Sequence, residues 1–415
     1  MTGFSKILPS VQKFKAAIQK SRKASAKNKD RLERDIPGSS STLGLDSSRP
    51  LPPWGVPVEI QILIFANCGT ADFLPLKLTC RTFNQVLSSH EHEIVRQYLR
   101  QRRHGTLPSP IDIDRTYTRS PEDDVVLLSD LFPPSKSARG GHLYTFRYLH
   151  GLRQRQRLCS RLAYYLADSV MNRYVQEDQN QLDPKKSNRA LLLKRAKDSM
   201  WFYIAPLMYY TLYYLEAYSS ARREHTNMLL REYEAGKLVV PVPLDMRRRM
   251  YRDLQTRILR EPPFTNTAAL TATHHCMHLL VSNIRHTIPE GEPDDSWISS
   301  LLALSPFIRI VEYFSAEIGD GGNQRMQRKD FMYNFYHDMN SHEKDHMNSV
   351  IWGRAADQNV QNMHSSVRDL WFDAARAELK IRNANPHRVE DVFHWNGVPI
   401  QFGCPDCHRT RGWWA

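Results

Sequence analysis

Apolar side chains that recur every three or four residues from position 143 to about 385 restrict the chain more than any other feature, because that period suits helices and not strands. Leu158, Leu162, Tyr165, Leu166 and Val170 mark one such face, and Leu279 and Ile284 belong to another over residues 267–286. Trp297, Leu301, Leu304, Ile308, Val311 and Phe314 make a third, and a further helix is expected over residues 362–383. Breakers fall between the runs at Pro184, at Pro241 and Pro243, at Pro262 and Pro263, at Pro289 and Pro293, and at Gly319 to Gly322. The expectation is an all-α fold, with seven or eight helices over residues 142–385 and an irregular tail over 386–415. No internal period of the kind that builds leucine-rich, WD or kelch arrays is present.

The front of the chain is different. Residues 1–34 begin as a basic arm, with Lys6, Lys13, Lys15, Lys20, Arg22, Lys23, Lys27 and Lys29 and no carboxylate before Asp30. Phe4, Ile7, Leu8, Val11, Phe14 and Ile18 give the arm amphipathic helical spacing, interrupted at Pro9. Nuclear import, a mitochondrial presequence and an ordinary solvated arm are its competing readings, and the last carries the most weight. Residues 35–55 form a Ser/Pro/Gly linker, a composition that buries too little surface to fold. No apolar secretory segment opens the chain, and the scattered cysteines point to a reducing compartment, cytoplasmic or nuclear. The uncharged, tyrosine-rich run at 199–215 is too short and too polar to span a bilayer, so it reads as a buried core helix and no transmembrane segment is expected. A net charge of +13 suits an acidic partner without naming one.

Between linker and helical region lies a compact block at residues 56–103, followed by an expected irregular connection over 104–141 that carries five prolines. Pro57 suits the start of a helix and Glu59 favours the same end through the helix dipole. Ile60, Ile64 and Phe65 are read as one face. A turn at Gly69 and Thr70 follows, then a second helix started by Asp72 and bearing Phe73, Leu76 and Leu78. Phe83, Val86 and Leu87 supply a third face, and a polar helix through Ile94, Tyr98 and Leu99 closes the block. Three helices in about 35 residues do not readily enclose a core alone, so such a unit borrows a partner.

This block resembles the F-box, whose usual pattern runs Leu-Pro-x-Glu-Leu/Ile, Ile-Phe, Asp-Leu, Leu, Val-Cys-Arg and an aromatic residue. The matching positions are Pro57, Glu59, Ile60, Ile64, Phe65, Asp72, Phe73 in place of the usual Leu, Leu76, Cys80, Arg81, Phe83 and Asn84. Val56, Cys68 and Thr79 depart from it, and Pro75 inside the second helix threatens to shift that helix. The likeness covers about a tenth of the chain, and in the run from His92 to Gln101 and again from Phe393 to Trp413 the remainder resembles the uncharacterised helical extension of many fungal F-box proteins. The resemblance implies a substrate receptor or adaptor, itself no enzyme, that docks on a Skp1-type linker and through it on a cullin of a ubiquitin ligase. Pro57, Ile60, Ile64, Phe65, Leu76, Cys80 and Phe83 would then line or support the linker-facing surface. The protein substrate stays unnamed, and an α-helical scaffold that uses the box outside a ligase is the neighbouring alternative.

Other constellations are weaker. His342-Glu343-Lys344-Asp345-His346 is a literal H-E-x-x-H, and on a helix both imidazoles would share an apolar stripe suited to zinc. Charged Lys344 and Asp345 inside the motif, and the lack of a third histidine downstream in the extended pattern, make a zinc hydrolase the less favoured alternative. Cys404 and Cys407 with His408 make half of a structural zinc site, but without a second pair free thiols are the expectation and no cofactor is assigned. His274, His275 and His278 read as core or surface histidines. The runs Arg153 to Arg157 and Arg247 to Arg249 read as solvated or partner-facing, with no nucleic acid expected because no binding module accompanies them.

Overall fold

The computed structural model describes residues 55–104, 121–138, 140–177, 186–287, 295–317, 333, 350–351 and 371–384. The basic arm, most of the linker, His342, His346, Cys404, Cys407 and His408 lie outside the described residues. Those described are mostly helical and contain no strand, only an isolated antiparallel bridge between Lys136 and His142.

The first helices are α1 (Val58–Asn67), α2 (Phe73–Thr79), α3 (Arg81–Ser89) and α4 (Glu91–His104). Next comes α5 (Pro121–Leu131), inside the stretch expected to be irregular. A proline read as a breaker is here the first helical residue, where its missing N–H costs nothing. Glu122, Asp123 and Asp124 complement the positive end of that helix, and Val125, Val126 and Leu128 are buried.

The remaining helices are α6 (Phe146–Glu177), α7 (Lys186–Glu234), α8 (Leu244–Arg260), α9 (Thr267–Thr287), α10 (Asp295–Leu304), α11 (Phe307–Glu317) and α12 (Trp371–Ile381). The face expected to run unbroken from Trp297 to Phe314 is divided at Pro306, whose absent N–H ends one helix and starts the next. Two C-termini close in Schellman geometry. After α7, Lys237 N–H donates to Glu232 O and Gly236 N–H to Tyr233 O, with Gly236 at φ 69°. After α12, Ala384 N–H donates to Leu379 O and Asn383 N–H to Lys380 O, with Asn383 in the left-handed region at φ 53°.

The core is centred on α6 and α7, which pack antiparallel. Arg155 meets Glu216, Cys159 Sγ lies 3.7 Å from Met208 O, Trp201 Nε1 donates to Ser160 O, and Lys197 pairs with Asp168. The tyrosine-rich run lies within α7, with Tyr209 and Tyr214 fully buried and Pro206 carried inside the helix. No helix among the described residues is long and apolar enough to cross a membrane. His274, His275 and His278 on α9 are all buried, and His278 stacks on Phe372 of α12 at 3.9 Å. Of the arginines expected to be solvated, Arg247 is buried against Tyr251 and Arg155 is taken up by Glu216 and the Phe132 ring.

The described residues from Val56 onward group into one compact unit. Phe73 of α2 packs on Phe146 of α6 at 4.5 Å, and Glu91 of α4 accepts a hydrogen bond from Phe146 N–H. The block therefore rests on the helical body instead of standing apart from it.

The four described cysteines are free thiols. Cys159 and Cys276 are fully buried, and burial pushes the Cys276 thiol up to about 12. In a Cys404→Ser, Cys407→Ser background, a thiol-specific reagent should label exposed Cys80 within minutes, while Cys159 and Cys276 react only on unfolding. Mass spectrometry of the labelled peptides checks this, and early labelling of Cys276 would contradict the packing.

Candidate docking surface

The block divides its apolar residues between an inner and an outer set. Pro57 caps α1 from outside the helix, its carbonyl accepting from Ile60 and Gln61 N–H. Within α1, Phe65 is 1% exposed and meets Phe83 of α3 edge to face at 5.6 Å. Ile60 and Ile64 are 42% and 41% exposed. The expectation that these three share a face is thus corrected. Residues four apart stay aligned, but Phe65 lies about 100° further round the helix and turns inward with Gln61 and Ala66.

Helix α2 repeats the division. Phe73 is buried against Tyr98 and Phe146, and Leu76 is half-buried. Leu74 and Leu78, one turn apart, are 68% and 77% exposed. Pro75 does not displace the helix, because it is the third residue, where the N–H lacks an intrahelical acceptor anyway. Cys80 is exposed and caps α3, its sulfur accepting from Phe83 N–H at 3.4 Å, while Phe83 is half-buried.

Of the seven residues picked out in the sequence, Pro57, Ile60, Ile64 and Cys80 are therefore outward. Phe65, Leu76 and Phe83 support from beneath. Leu63, Leu74 and Leu78 also face solvent and were not picked out. Their signal was available in the spacing: Leu74 and Leu78 sit one helical turn apart, and Phe73 takes the inner position.

A polar network holds this layer to the body. Arg102 of α4 donates to Ala66 O at 2.9 Å and lies within 3.5 Å of Asn67 O and Cys68 O, so it caps the carbonyl end of α1. The same guanidinium covers the ring of fully buried Tyr98 at 3.8 Å. Tyr98 donates its hydroxyl to Glu122 of α5, which also accepts from Thr70 in the α1–α2 turn. Burial, reinforced by the Glu122 carboxylate, pushes the Tyr98 phenol well above its ordinary range. Arg102→Ala removes both the cap and the cover of Tyr98. The expected loss is about 2–3 kcal/mol, seen as an earlier chemical-denaturation midpoint, whereas Arg100→Ala on the exposed side should change it little.

Among the described residues no group of three or more His, Cys, Asp or Glu side chains is placed to hold a metal ion. No protein-family model matches the sequence, and comparison with curated proteins and with solved structures finds no match.

Proposed function

We propose that residues 56–104 work as an F-box-type docking module for a Skp1-type linker, and that the helical body beyond Phe146 holds a protein substrate for a cullin-based ubiquitin ligase. The observation that carries this reading is the exposure of Ile60 and Ile64, two positions of the matched pattern, beside Leu63, Leu74 and Leu78. Large apolar side chains grouped on one short segment mark an interaction site, and burying each against a partner is worth roughly 1.5–3 kcal/mol. The inner residues Phe65, Phe73 and Leu87 already have their partners within the chain, so covering the outer set requires no rearrangement of the core.

On this reading the protein makes and breaks no bond. It acts by proximity, raising the effective concentration of a substrate lysine beside a ubiquitin-charged partner. Its place of work is the cytoplasm or nucleus, where the linker and cullin act.

Co-expression with a Skp1-type linker, followed by affinity purification and size exclusion, tests the proposal. A one-to-one complex that captures a cullin is the expected result. A complex with linker but no cullin points to the scaffold, and no complex with any Skp1-type linker removes the reading.

A further inference from the structure

Between Asp130 and Asp168 the chain carries no carboxylate. Most of α6 lies in that interval, and its arginines divide by direction. Arg153 and Arg155 point to the sides of the helix and are engaged, the first by Gln156 Oε1 at 3.0 Å and the second by Glu216 at 2.8 Å. Arg147, Arg157 and Arg161 point outward with His150 and Gln154, and all are exposed. These outward arginines have no hydrogen-bond or ion-pair partner among the described residues. Their spacing of 147, 150, 154, 157 and 161 keeps them on one stripe about 21 Å long.

Acidic α5 meets α6 on its buried side, where Gln156 Nε2 donates to Asp124, and its Glu122 accepts from Tyr98 and Thr70; the other flanks do not neutralise the stripe either. Helix α7 runs antiparallel beside it, with Glu216 opposite Arg155, Met208 opposite Cys159 and Trp201 opposite Ser160. From residue 199 to 215 that neighbour has no charged side chain, and Glu216 itself is taken by Arg155. On α11, which also packs against α6, the one described carboxylate is Glu312, held by Arg309 at 3.0 Å. Asp168 lies beyond the stripe and is paired with Lys197.

We propose that this outward face of α6, from Arg147 to Arg161, is a docking surface for an acidic protein segment. Charge complementarity selects the partner, since guanidinium groups at alternating spacings of three and four residues match carboxylates displayed at the same spacing on a helix. A single convex helix face with one exposed aromatic, Tyr164, whose ring Lys197 already covers at 4.1 Å, lacks the groove and stacking platforms that suit single-stranded nucleic acid. The surface is separate from the apolar layer on α1 and α2, so it stands whether or not that layer binds a Skp1-type linker.

The test uses the full chain and fluorescence anisotropy. The probes are a labelled Ala/Glu peptide of about 14 residues with Glu at every third or fourth position, its Ala/Lys counterpart, and an oligothymidylate of similar length. Wild type should bind the Glu peptide, lose it as salt rises from about 0.05 M to about 0.3 M, and ignore the Lys peptide. Combining Arg147→Glu, Arg157→Glu and Arg161→Glu should weaken binding by roughly tenfold or more. Combining Arg249→Glu, Arg252→Glu and Arg257→Glu, which alters net charge equally on exposed positions of α8, should leave it within about twofold. Replacing the three α6 arginines by Gln provides a milder set if charge reversal disturbs folding, and Ile60→Asp with Ile64→Asp should leave peptide binding intact. Equal loss in the α6 and α8 variants, no binding of the Glu peptide, or tighter stripe-dependent binding of oligothymidylate would each overturn the proposal.

Discussion

Replacing Ile60 and Ile64 together by Asp should abolish co-purification with a Skp1-type linker while the chain stays folded. Each isoleucine contributes roughly 1.5–3 kcal/mol when a partner covers it, and each carboxylate placed there must instead be stripped of water without a counter-charge. Their sum corresponds to a loss of well over a hundredfold in affinity. Both side chains are more than a third exposed in the free chain, so folding stability should move by only about 0.5 kcal/mol. Phe65→Ala provides the contrast, because Phe65 is fully packed against Phe83 and its truncation costs about 3–5 kcal/mol of folding energy. A double Asp variant that still binds linker at wild-type affinity would sink the F-box reading. One that binds nothing but melts like wild type supports it, and the Phe65 variant shows how loss through unfolding looks different.

The second large effect concerns the clamp that fastens α12. Arg382 donates to Phe264 O at 2.6 Å, to Leu259 O at 2.9 Å and to Glu378 at 3.1 Å, joining α12 to the end of α8 and the turn beyond it. Glu378 is 8% exposed on its side chain and also accepts from Arg260 at 3.0 Å. Arg382→Ala leaves a buried carboxylate with only the exposed Arg260 as counter-charge and two carbonyls without donors. The cost should be about 3–5 kcal/mol, read as a lower denaturation midpoint and early loss of protection around Trp371.

The same clamp predicts an acid limb in stability. Burial alone would raise the Glu378 carboxyl, but hydrogen bonds from Arg260 and then Arg382 outweigh burial and hold it below the ordinary 4.5. A carboxyl whose folded value lies below its unfolded value stabilises fully above the unfolded value. That contribution disappears as pH falls from about 4.5 through the lower folded value. Glu378→Gln should remove this part of the pH dependence, and an unchanged acid limb in that variant would assign it to other carboxyls.

Much of the architecture was legible because helices announce themselves locally. Pro262 and Pro263 fall between α8 and α9, and Leu162, Leu166 and Val170 lie buried on the inner face of α6, as their spacing indicates. The errors in helix limits trace to proline, which can end a helix or begin one. Pro121 begins α5 and Pro306 separates α10 from α11, whereas Pro75 and Pro206 sit inside helices that continue past them. Whether a proline breaks a helix depends on the packing offered to the residues after it, and that lies far away in sequence.

The block at 56–104 illustrates the division at side-chain level. Local pattern places Ile60, Ile64 and Phe65 on one helix, yet packing against Phe83 and the rest of the core takes Phe65 inward and leaves the isoleucines outside. Similarly, the arginine-rich start of α6 reads as one basic run. The position of Glu216 on α7, sixty-one residues later, decides that Arg155 is spent on the fold and Arg157 is not.

From its sequence alone this chain is read as mostly helical, with breaks at positions such as Pro262 and Pro263, and with an apolar block near its front. Those are properties of period, capping and breakers within a few residues of one another. Which side of each helix meets a neighbour, and so which apolar and cationic groups are left over for a partner, was decided only by tertiary packing. Each helix has several faces of comparable character, and long-range contacts choose among them by covering some and exposing the rest.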